Sequence, residues 1–239
     1  MPKKIAIMQP YFFPYIGYWQ LMAGVDELIV YDNVQFTKKG WVNRNRFLRN
    51  GKAVFFSLPL KKGSSLLDVK GRYLSDSFDQ DALTILRQIE GAYKKAPNFN
   101  EGFSLFEECL KFKDKNLFNF IYHSIIKIKD YLGINTKIII SSGISCSHSL
   151  NSSDRVKAIC QAQNASIYIN PIGGLKLYSK EEFLTSDIEL KFHKSTEMKY
   201  KQFKNESEFE AWLSILDLIM FNSSSEIARG GYLNKYDLV

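Results

Sequence analysis

A basic, amide-rich segment near the N-terminus carries the side chains best suited to hold an anion. Four cations lie within nine residues, interleaved with amides and an indole. In chain order the cations, the indole and the amides are Lys38, Lys39, Trp41, Asn43, Arg44, Asn45 and Arg46. If residues 43–46 form a strand, both amides share one face and both guanidinium groups the other. Adjacent guanidinium groups suit bidentate pairing with phosphate or carboxylate. The alternative is a basic hairpin whose charges face water.

Polar or glycine-rich positions also follow the apolar runs that are typical of strands. They are Gln9, Asp32 with Asn33, Ser141 with Ser142, and Asn170 with Gly173 and Gly174. Asp32 could hold a ribose hydroxyl, an amine or a metal ion, or could begin a turn. Ser141 and Ser142 either offer hydroxyls to a ligand or form a plain loop. The two glycines either let the backbone approach a ligand or allow a sharp turn.

An aromatic segment, Tyr11-Phe-Phe-Pro-Tyr-Ile-Gly-Tyr18, separates the first strand from a short helix. This layout is typical of a nucleotide-binding turn, in which amides at a helix start face a phosphate. Tyr11 and Tyr18 are candidates to contact a substrate, although the aromatic rings could equally pack under the sheet. Neither G-x-G-x-x-G nor G-x-x-x-x-G-K-[ST] occurs at this turn, so neither glycine-rich fingerprint supports a nucleotide site.

The histidines and cysteines give weaker signals. His123 lies among apolar residues of a predicted helix and is typical of a structural histidine. His148, in the polar loop 141–153, is the better candidate for acid-base chemistry. Cys146 could act as a nucleophile beside His148, but side chains two apart on a loop need not converge. No metal-ligand spacing occurs, so we predict no metal site and reduced, structural cysteines.

Composition limits the class of protein. The 239 residues are 45% hydrophobic and 24% charged, which are ordinary globular values. The net charge of +7 favours nucleic acid, a phosphorylated ligand or an anionic membrane surface, or reflects a solvated basic surface. The first strand begins within three residues of the N-terminus, and no apolar run approaches the ~20 residues of a membrane span. We therefore expect a cytoplasmic protein without a membrane span.

The apolar patterns predict an α/β fold with a Rossmann-like parallel sheet. Strands are predicted at residues 3–8, 27–31, 52–58, 136–140, 165–170 and 188–193, and helices at 81–93, 103–132, 155–163 and 209–221. Parallel strands place their carboxyl ends at one edge, where open α/β sheets bind ligands.

We predict a single domain over residues 1–239, with a helical segment at about 78–132 inserted into it or packed on it. Asn151-Ser-Ser-Asp is expected to cap the helix that follows. Asp217 is expected to contact the N-terminal sheet or solvent, and the polar tail from Asn222 to be loosely held.

Several of these motifs together resemble the WbqC-like protein family over nearly the whole chain. They are Ile5-Ala-Ile-Met-Gln9-Pro10 with the aromatic segment, Tyr31-Asp-Asn-Val-Gln35, Lys39-Gly-Trp-Val-Asn-Arg-Asn-Arg46, Ser141-Ser142, Tyr168-Ile-Asn170 with Gly173-Gly174, and Leu213-Ser-Ile-Leu-Asp217. The resemblance implies a role in bacterial surface-polysaccharide biosynthesis of the O-antigen, or lipopolysaccharide, type. It also implies transfer of glycine or another acyl group to an amino sugar.

A more distant resemblance is to the nucleotidyltransferase-like adenylating enzymes, including pantothenate synthetase. The segment that matches their H-x-G-H motif is Tyr15-Ile-Gly17-Tyr18, which lacks both histidines. Adenylation by the usual route is therefore unsupported. The acyl donor could be an acyl thioester or aminoacyl-tRNA instead of an acyl group activated by ATP.

The leading hypothesis is an N-acyl- or glycyltransferase that acts on a nucleotide-linked amino sugar, with Lys39, Arg44 and Arg46 holding the phosphates. Asp32 or His148 would act as the base near the attacking amine. Gln9, Asn33 and Asn45 would meet the developing oxyanion. The alternatives are a glycosyltransferase that uses a nucleotide sugar, and a non-catalytic protein that binds a sugar nucleotide or RNA. We predict no DNA partner, whereas RNA could take part as the aminoacyl donor.

Overall fold

The strands of the protein are short, and they include all six that were predicted. The computed structural model describes residues 2–196, 198–203 and 209–239. Its strands are β1 (Lys4–Met8), β2 (Glu27–Val30), β3 (Arg44–Arg49), β4 (Lys52–Ser57), β5 (Lys137–Ile140), β6 (Ile167–Pro171), β7 (Glu189–Ser195) and β8 (Tyr236–Leu238). Six of them form one sheet in the order β5-β2-β1-β6-β7-β8, and β3 pairs with β4 separately.

The large sheet is parallel except for β8, which runs antiparallel to β7. Its central strands are buried on both faces, as the apolar runs Ile5-Ala6-Ile7 and Leu28-Ile29-Val30 predict. The Rossmann-like α/β fold is therefore confirmed.

Helices lie beside the sheet and beyond its edge. They are α1 (Ile16–Ala23), α2 (Phe78–Tyr93), α3 (Phe99–Leu110), α4 (Leu117–Tyr131), α5 (Ser152–Ala162), α6 (Lys180–Leu184), α7 (Ile215–Phe221) and α8 (Ser224–Arg229). The continuous helix predicted over 103–132 is wrong, because residues 111–116 separate α3 from α4. Asn116 begins α4 by accepting a hydrogen bond from the Asn119 amide at 3.2 Å, which favours a new helix start there.

The hairpin of β3 and β4 is built by a turn that needs left-handed backbone. Asn50 and Gly51 have φ values of 53° and 73°, the geometry that a two-residue hairpin turn requires. The hairpin is fixed to the aromatic segment, since the Phe12 amide donates to the Val42 carbonyl at 3.1 Å. This contact places the basic segment beside the end of β1.

The C-terminal region differs from two predictions. The helix begins at Ile215, not at Phe209, and all of its residues are buried, so it has no polar face. The tail from Asn222 is not loosely held. It forms α8, whose start has a Ser223 and Glu226 capping box, and then adds β8 to the sheet.

Asp217 lies in the interior, which corrects the expectation of a sheet contact or solvent exposure. Its carboxylate is fully buried and accepts hydrogen bonds from Tyr93 Oη at 2.7 Å, Tyr200 Oη at 2.6 Å and Gln202 Nε2 at 2.7 Å. Burial raises the pKa of Asp217 to about 6. The network joins α7 to α2 and to residues 198–203.

Three further observations concern membrane and metal chemistry. None of the helices in the described ranges has both the length and the apolar composition needed to cross a bilayer. Within the same ranges, no group of three His, Cys, Asp or Glu side chains is placed to hold a metal ion. Cys109, Cys146 and Cys160 are free thiols.

Candidate functional site

The carboxyl ends of the parallel strands meet where the chain connections diverge. From β1 the chain passes through α1 to β2 on one side, while β6 lies against β1 on the other. Such a switch point is the usual ligand position in an open α/β sheet. Two cavities lie here, and Met8 and Gln9 line both of them. We call them the crossover cavity and the groove.

The crossover cavity, about 590 Å³, lies over the ends of β1 and β6. It is lined by Ile7, Met8, Gln9, Tyr31, Val34, Leu150, Ser152, Arg155, Tyr168, Asn170, Pro171, Gly173, Gly174, Leu177 and Tyr178. The lining combines aromatic and aliphatic walls with a few polar groups, as in many sites for small molecules.

Arg155 on α5 supplies the positive charge of the crossover cavity. Its guanidinium carbon lies 4.8 Å from the centre of the Tyr31 ring. Its Nη atoms donate to the Asn33 carbonyl at 3.2 Å and also to Asn33 Oδ1. These acceptors are uncharged, and Arg155 forms no ion pair with any described residue. An anionic ligand would therefore find an uncompensated charge.

The start of α5 also faces this cavity through Ser152. The predicted side-chain cap is wrong, because Asn151 takes the N-cap position but its side chain accepts no capping hydrogen bond. The amides of a first helical turn have no partner within the helix. They are thus suited to receive an anion beside Arg155.

The loop after β6 requires glycine at one of its two glycine positions. A Cβ atom at Gly174 would lie 1.9 Å from Asn170 Nδ2, whereas one at Gly173 would meet nothing within 4 Å. Asn170 is itself fixed, since Tyr168 Oη donates to its Oδ1 at 2.9 Å. Gly174 therefore keeps the cavity wall close to Asn170.

The groove, about 580 Å³, lies on the other side of Gln9. It is lined by Met8, Gln9, Pro10, Tyr11, Tyr15, Thr37, Gly40, Trp41, Val42, Asn45, Arg46 and Trp212. Gln9 is exposed, and its side-chain amide has no hydrogen bond to a described residue. An exposed amide between two cavities can contact a ligand that occupies both.

The two faces of β3 have different environments. Asn45 is buried and donates to the carbonyls of Phe12 at 3.1 Å and Phe13 at 2.6 Å. The opposite face carries Arg44 and Arg46, whose guanidinium groups lie 5.5 and 5.6 Å from the Trp41 ring centre. Asn45 therefore shapes the aromatic segment, and of the two arginines only Arg46 is among the residues that line the groove.

The two arginines are not equivalent. Arg44 donates to the carbonyls of Gly40 at 2.9 Å and Lys39 at 2.5 Å, so its guanidinium closes the basic loop on itself. Arg46 lines the groove and donates to the Trp212 carbonyl at 2.7 Å, while its buried Nε has no hydrogen-bond partner among described residues. The side chain of Lys39, like that of Lys38, is exposed.

Asp32 and the serines after β5 form a link between strand ends. Ser142 donates its amide to Asp32 Oδ1 at 2.9 Å, and Lys70 Nζ lies 3.7 Å from Oδ2. Asp32 and Ser141 are buried, and neither they nor Ser142 belong to the described lining of the crossover cavity or the groove. Asn43 binds the Leu58 carbonyl at 2.8 Å and so aligns β3 with β4.

His148 and Cys146 do come into contact. Cys146 Sγ lies 3.9 Å from His148 Nδ1 and 4.0 Å from Nε2, and His148 Nε2 also contacts the Ile144 carbonyl at 3.0 Å. Because Sγ is almost equally far from both ring nitrogens, it is not placed to form a well-aligned hydrogen bond with either of them. His123 stacks on Phe112 at 4.0 Å, in agreement with a structural role.

The predicted tyrosine pair is divided between the core and the groove. Tyr18 is 1% exposed and packs edge-to-face against Tyr11 at 5.5 Å, while Tyr11 lines the groove. Burial raises the pKa of both phenols. Both hydroxyls therefore stay protonated at neutral pH. Phe12, Phe13 and Trp19 are fully buried, so most of the segment is core.

Three lining residues were missed by sequence reasoning. Arg155 could have been found as a cation in the first turns of a helix that follows a strand end. Tyr15 was singled out only as the position where the adenylating enzymes have the first histidine of their motif. Trp212 gave no local signal, because it reaches the groove from 166 residues beyond Arg46 in the chain.

The buried Asn45 amide should contribute measurably to stability. We expect Asn45→Ala to lower the free energy of unfolding by about 2 kcal/mol, because the Phe12 and Phe13 carbonyls lose their donor. Asn43→Ala removes one contact of a half-buried amide and should cost about 1 kcal/mol. Urea denaturation of both variants measures the difference. Equal losses would show that Asn45 does not hold the aromatic segment.

Comparisons with known proteins assign the chain to a family. A family model described as "WbqC-like protein family" matches residues 9–229. An uncharacterized protein of Mycobacterium tuberculosis, Rv1507c, is 30% identical over 233 residues, which cover 94% of this chain and 95% of that protein. No solved structure matches the chain significantly. The matched region contains both strand ends at Gln9 and Asp32, the basic hairpin and Arg155, and the chain belongs to the WbqC-like protein family.

Proposed function

We propose that this protein transfers an acyl group to the amine of a nucleotide-linked amino sugar. The observation that carries the proposal is the meeting of two cavities at Gln9, each with an arginine that forms no ion pair with a described residue. A nucleotide sugar has an anionic end and a polar ring end, and this pair of cavities suits both.

The nucleotide diphosphate would occupy the crossover cavity. Arg155 and the first-turn amides of α5 offer charge and donors to phosphate, and Tyr31 and Tyr178 offer aromatic surface. This differs from an assignment of the phosphates to Arg44, which is not among the residues that line the crossover cavity or the groove.

The amino sugar would extend past Gln9 into the groove. Trp41, 45% exposed, provides a ring face there. Arg46 and the hydroxyls of Tyr11 and Tyr15 provide donors for the oxyanion of the tetrahedral intermediate. The amine would attack the activated carbonyl as its free base. A new N–C bond forms, the bond from the carbonyl to the leaving group breaks, and the amine proton passes to the leaving group.

The setting would be the synthesis of a bacterial surface polysaccharide of O-antigen type. This part of the proposal follows from what the resemblance to the WbqC-like family implies. A nucleotide-linked substrate of this kind would place the reaction in the cytoplasm. Asp32 and His148 are not required to contact the amine in this scheme. They would position the loops after β2 and β5.

Calorimetry and mass spectrometry test the proposal together. UDP-glucosamine and a dTDP-linked amino hexose are titrated into the protein, and each is then incubated with an acyl thioester, with glycine and ATP, or with glycyl-tRNA. We expect binding of a nucleotide sugar and one added acyl mass on the sugar. Release of free nucleotide with a new glycosidic product would favour glycosyl transfer instead, and binding of RNA alone would contradict the proposal.

A further inference from the structure

A third cavity continues the groove and is lined mainly by apolar side chains. This chamber of about 310 Å³ is lined by Tyr15, Ile16, Ser195, Thr196, Met198, Tyr200, Phe209, Ala211, Trp212, Leu213, Ser214, Ile215 and Leu218. Tyr15 and Trp212 belong to both linings, so the two spaces meet at these rings, whose centres are 5.8 Å apart. The three cavities therefore lie in a row, and the groove is in the middle.

We infer that the chamber binds the apolar chain of the acyl donor, and that the transferred group is an aliphatic acyl group longer than acetyl or glycyl. This inference rests on the proposed function and names the donor for the same site. If the nucleotide sugar occupies the crossover cavity and the groove, the chamber is a further space that meets the groove, at Tyr15 and Trp212.

The size of the chamber argues for more than a two-carbon group. An apolar cavity of ~150 Å³ takes up a benzene ring, so about 310 Å³ has room for an acyl chain of roughly six to ten carbons. A glycyl group would leave most of the apolar wall without contacts. Its ammonium would also lie among Ile16, Leu213 and Leu218, where a charge is strongly disfavoured.

Polar atoms at the Tyr15 wall fit the carbonyl end of such a donor. A Cβ atom on Gly17 would lie 2.3 Å from Tyr15 Oη and 2.5 Å from Ser195 Oγ, so both hydroxyls converge beside this glycine. Ser195 Oγ is buried, and the group beside it is the Tyr15 hydroxyl. Tyr15 Oη can donate to an oxyanion where the chamber meets the groove.

The wall at Trp212 is held in an uncommon conformation. Trp212 has a φ of 59°, which is rare for a bulky residue, and its side chain is 63% exposed. The Arg46 guanidinium binds its carbonyl at 2.7 Å. Arg46 thus fixes the residue that separates the groove from the chamber.

The reaction that follows from this arrangement uses an acyl thioester as donor. The sugar amine attacks the thioester carbonyl, the N–C bond forms and the C–S bond breaks. The sulfur leaves with the bonding electron pair and takes up the amine proton as a thiol. No oxidant, reductant or further reactant is needed.

A chain-length series tests the inference without depending on turnover. N-acetylcysteamine thioesters from acetyl to dodecanoyl are titrated into the protein by calorimetry, with tryptophan fluorescence as a second readout. We expect affinity to increase about fourfold per added methylene until the chamber is full. Ala211→Leu should move the plateau to shorter chains and Met198→Ala to longer ones, because both residues line the chamber. Ala228→Leu on α8 is the control and should leave the series unchanged.

The outcomes separate this inference from the proposed function. Affinity that does not depend on chain length, or a plateau that neither chamber variant moves, would overturn the inference. Faster transfer of acetyl or glycyl than of any longer acyl group would also overturn the inference. The proposed acyl transfer itself would then still stand. Failure of every nucleotide sugar to bind would instead count against the proposed function.

Discussion

Asp217→Ala is expected to lower the free energy of unfolding by about 3–5 kcal/mol. The carboxylate is the common acceptor for Tyr93, Tyr200 and Gln202, and its removal leaves three donors in the interior without that acceptor. Tyr93 Oη also accepts the Leu48 amide at 2.7 Å, so the loss extends to β3. Urea denaturation at neutral pH measures the change.

The control for this variant is Asp130→Ala at the exposed end of α4. Its only ion pair with a described residue, to Lys129 at 3.7 Å, is partly exposed, and its loss should change stability by less than about 0.5 kcal/mol. A similar small change for Asp217→Ala would show that the network contributes no net stability.

Asp217 also has a signed effect on the pH dependence of stability. The folded pKa of Asp217, about 6, lies above the ordinary 3.8. Its contribution to the free energy of unfolding is therefore fully present below about pH 4, and about 3 kcal/mol of it is lost as the pH rises through 6. His193 acts in the opposite direction. Burial lowers its pKa from 6.5 to about 4, so stability is lost as pH falls through that range. Asp217→Asn should therefore steepen the rise in stability between pH 4 and 6, and an unchanged profile would contradict the assigned shift.

Arg155→Met is expected to weaken the binding of UDP-glucosamine about a hundredfold. A charge-assisted bidentate contact to phosphate contributes up to ~3 kcal/mol, and no described residue other than Arg155 supplies a cation to the crossover cavity lining. Arg155→Lys keeps the charge without the fork and should lose about tenfold. Calorimetry gives both dissociation constants.

Two arginines provide matched controls. Arg87→Met, on the exposed face of α2, should leave binding unchanged. Arg44→Met decides between two assignments of the phosphates. A loss smaller than about threefold agrees with its bonds to the Lys39 and Gly40 carbonyls. A loss as large as that of Arg155→Met would instead assign phosphate binding to the basic hairpin.

The elements of the sheet could be predicted from the sequence because their signals are local. Buried parallel strands produce continuous apolar runs such as Ile5-Ala6-Ile7-Met8, and polar residues begin where each strand leaves the core. Errors arose where a pattern continued across a break, as between α3 and α4. They also arose where a buried polar residue cannot be distinguished from an exposed one by sequence alone, as at Asp217 on α7.

The candidate site could be predicted only in part. Its edge followed from the parallel order of β1 and β2, and Gln9 was found there. The separate environments of Arg44 and Arg46 depend on backbone carbonyls that lie far apart in the chain, at Gly40 and Trp212, and spacing alone does not reveal such partners.

The sequence by itself determined the family, the α/β class and which residues follow the strand ends, because strand periodicity and short motifs are local properties of the chain. The tertiary structure decided which polar groups are available at that edge. Arg155 and Trp212 reach Gln9 and Arg46 only through long-range packing, and Asp32 and Asn45 are occupied by backbone groups that this packing brings to them.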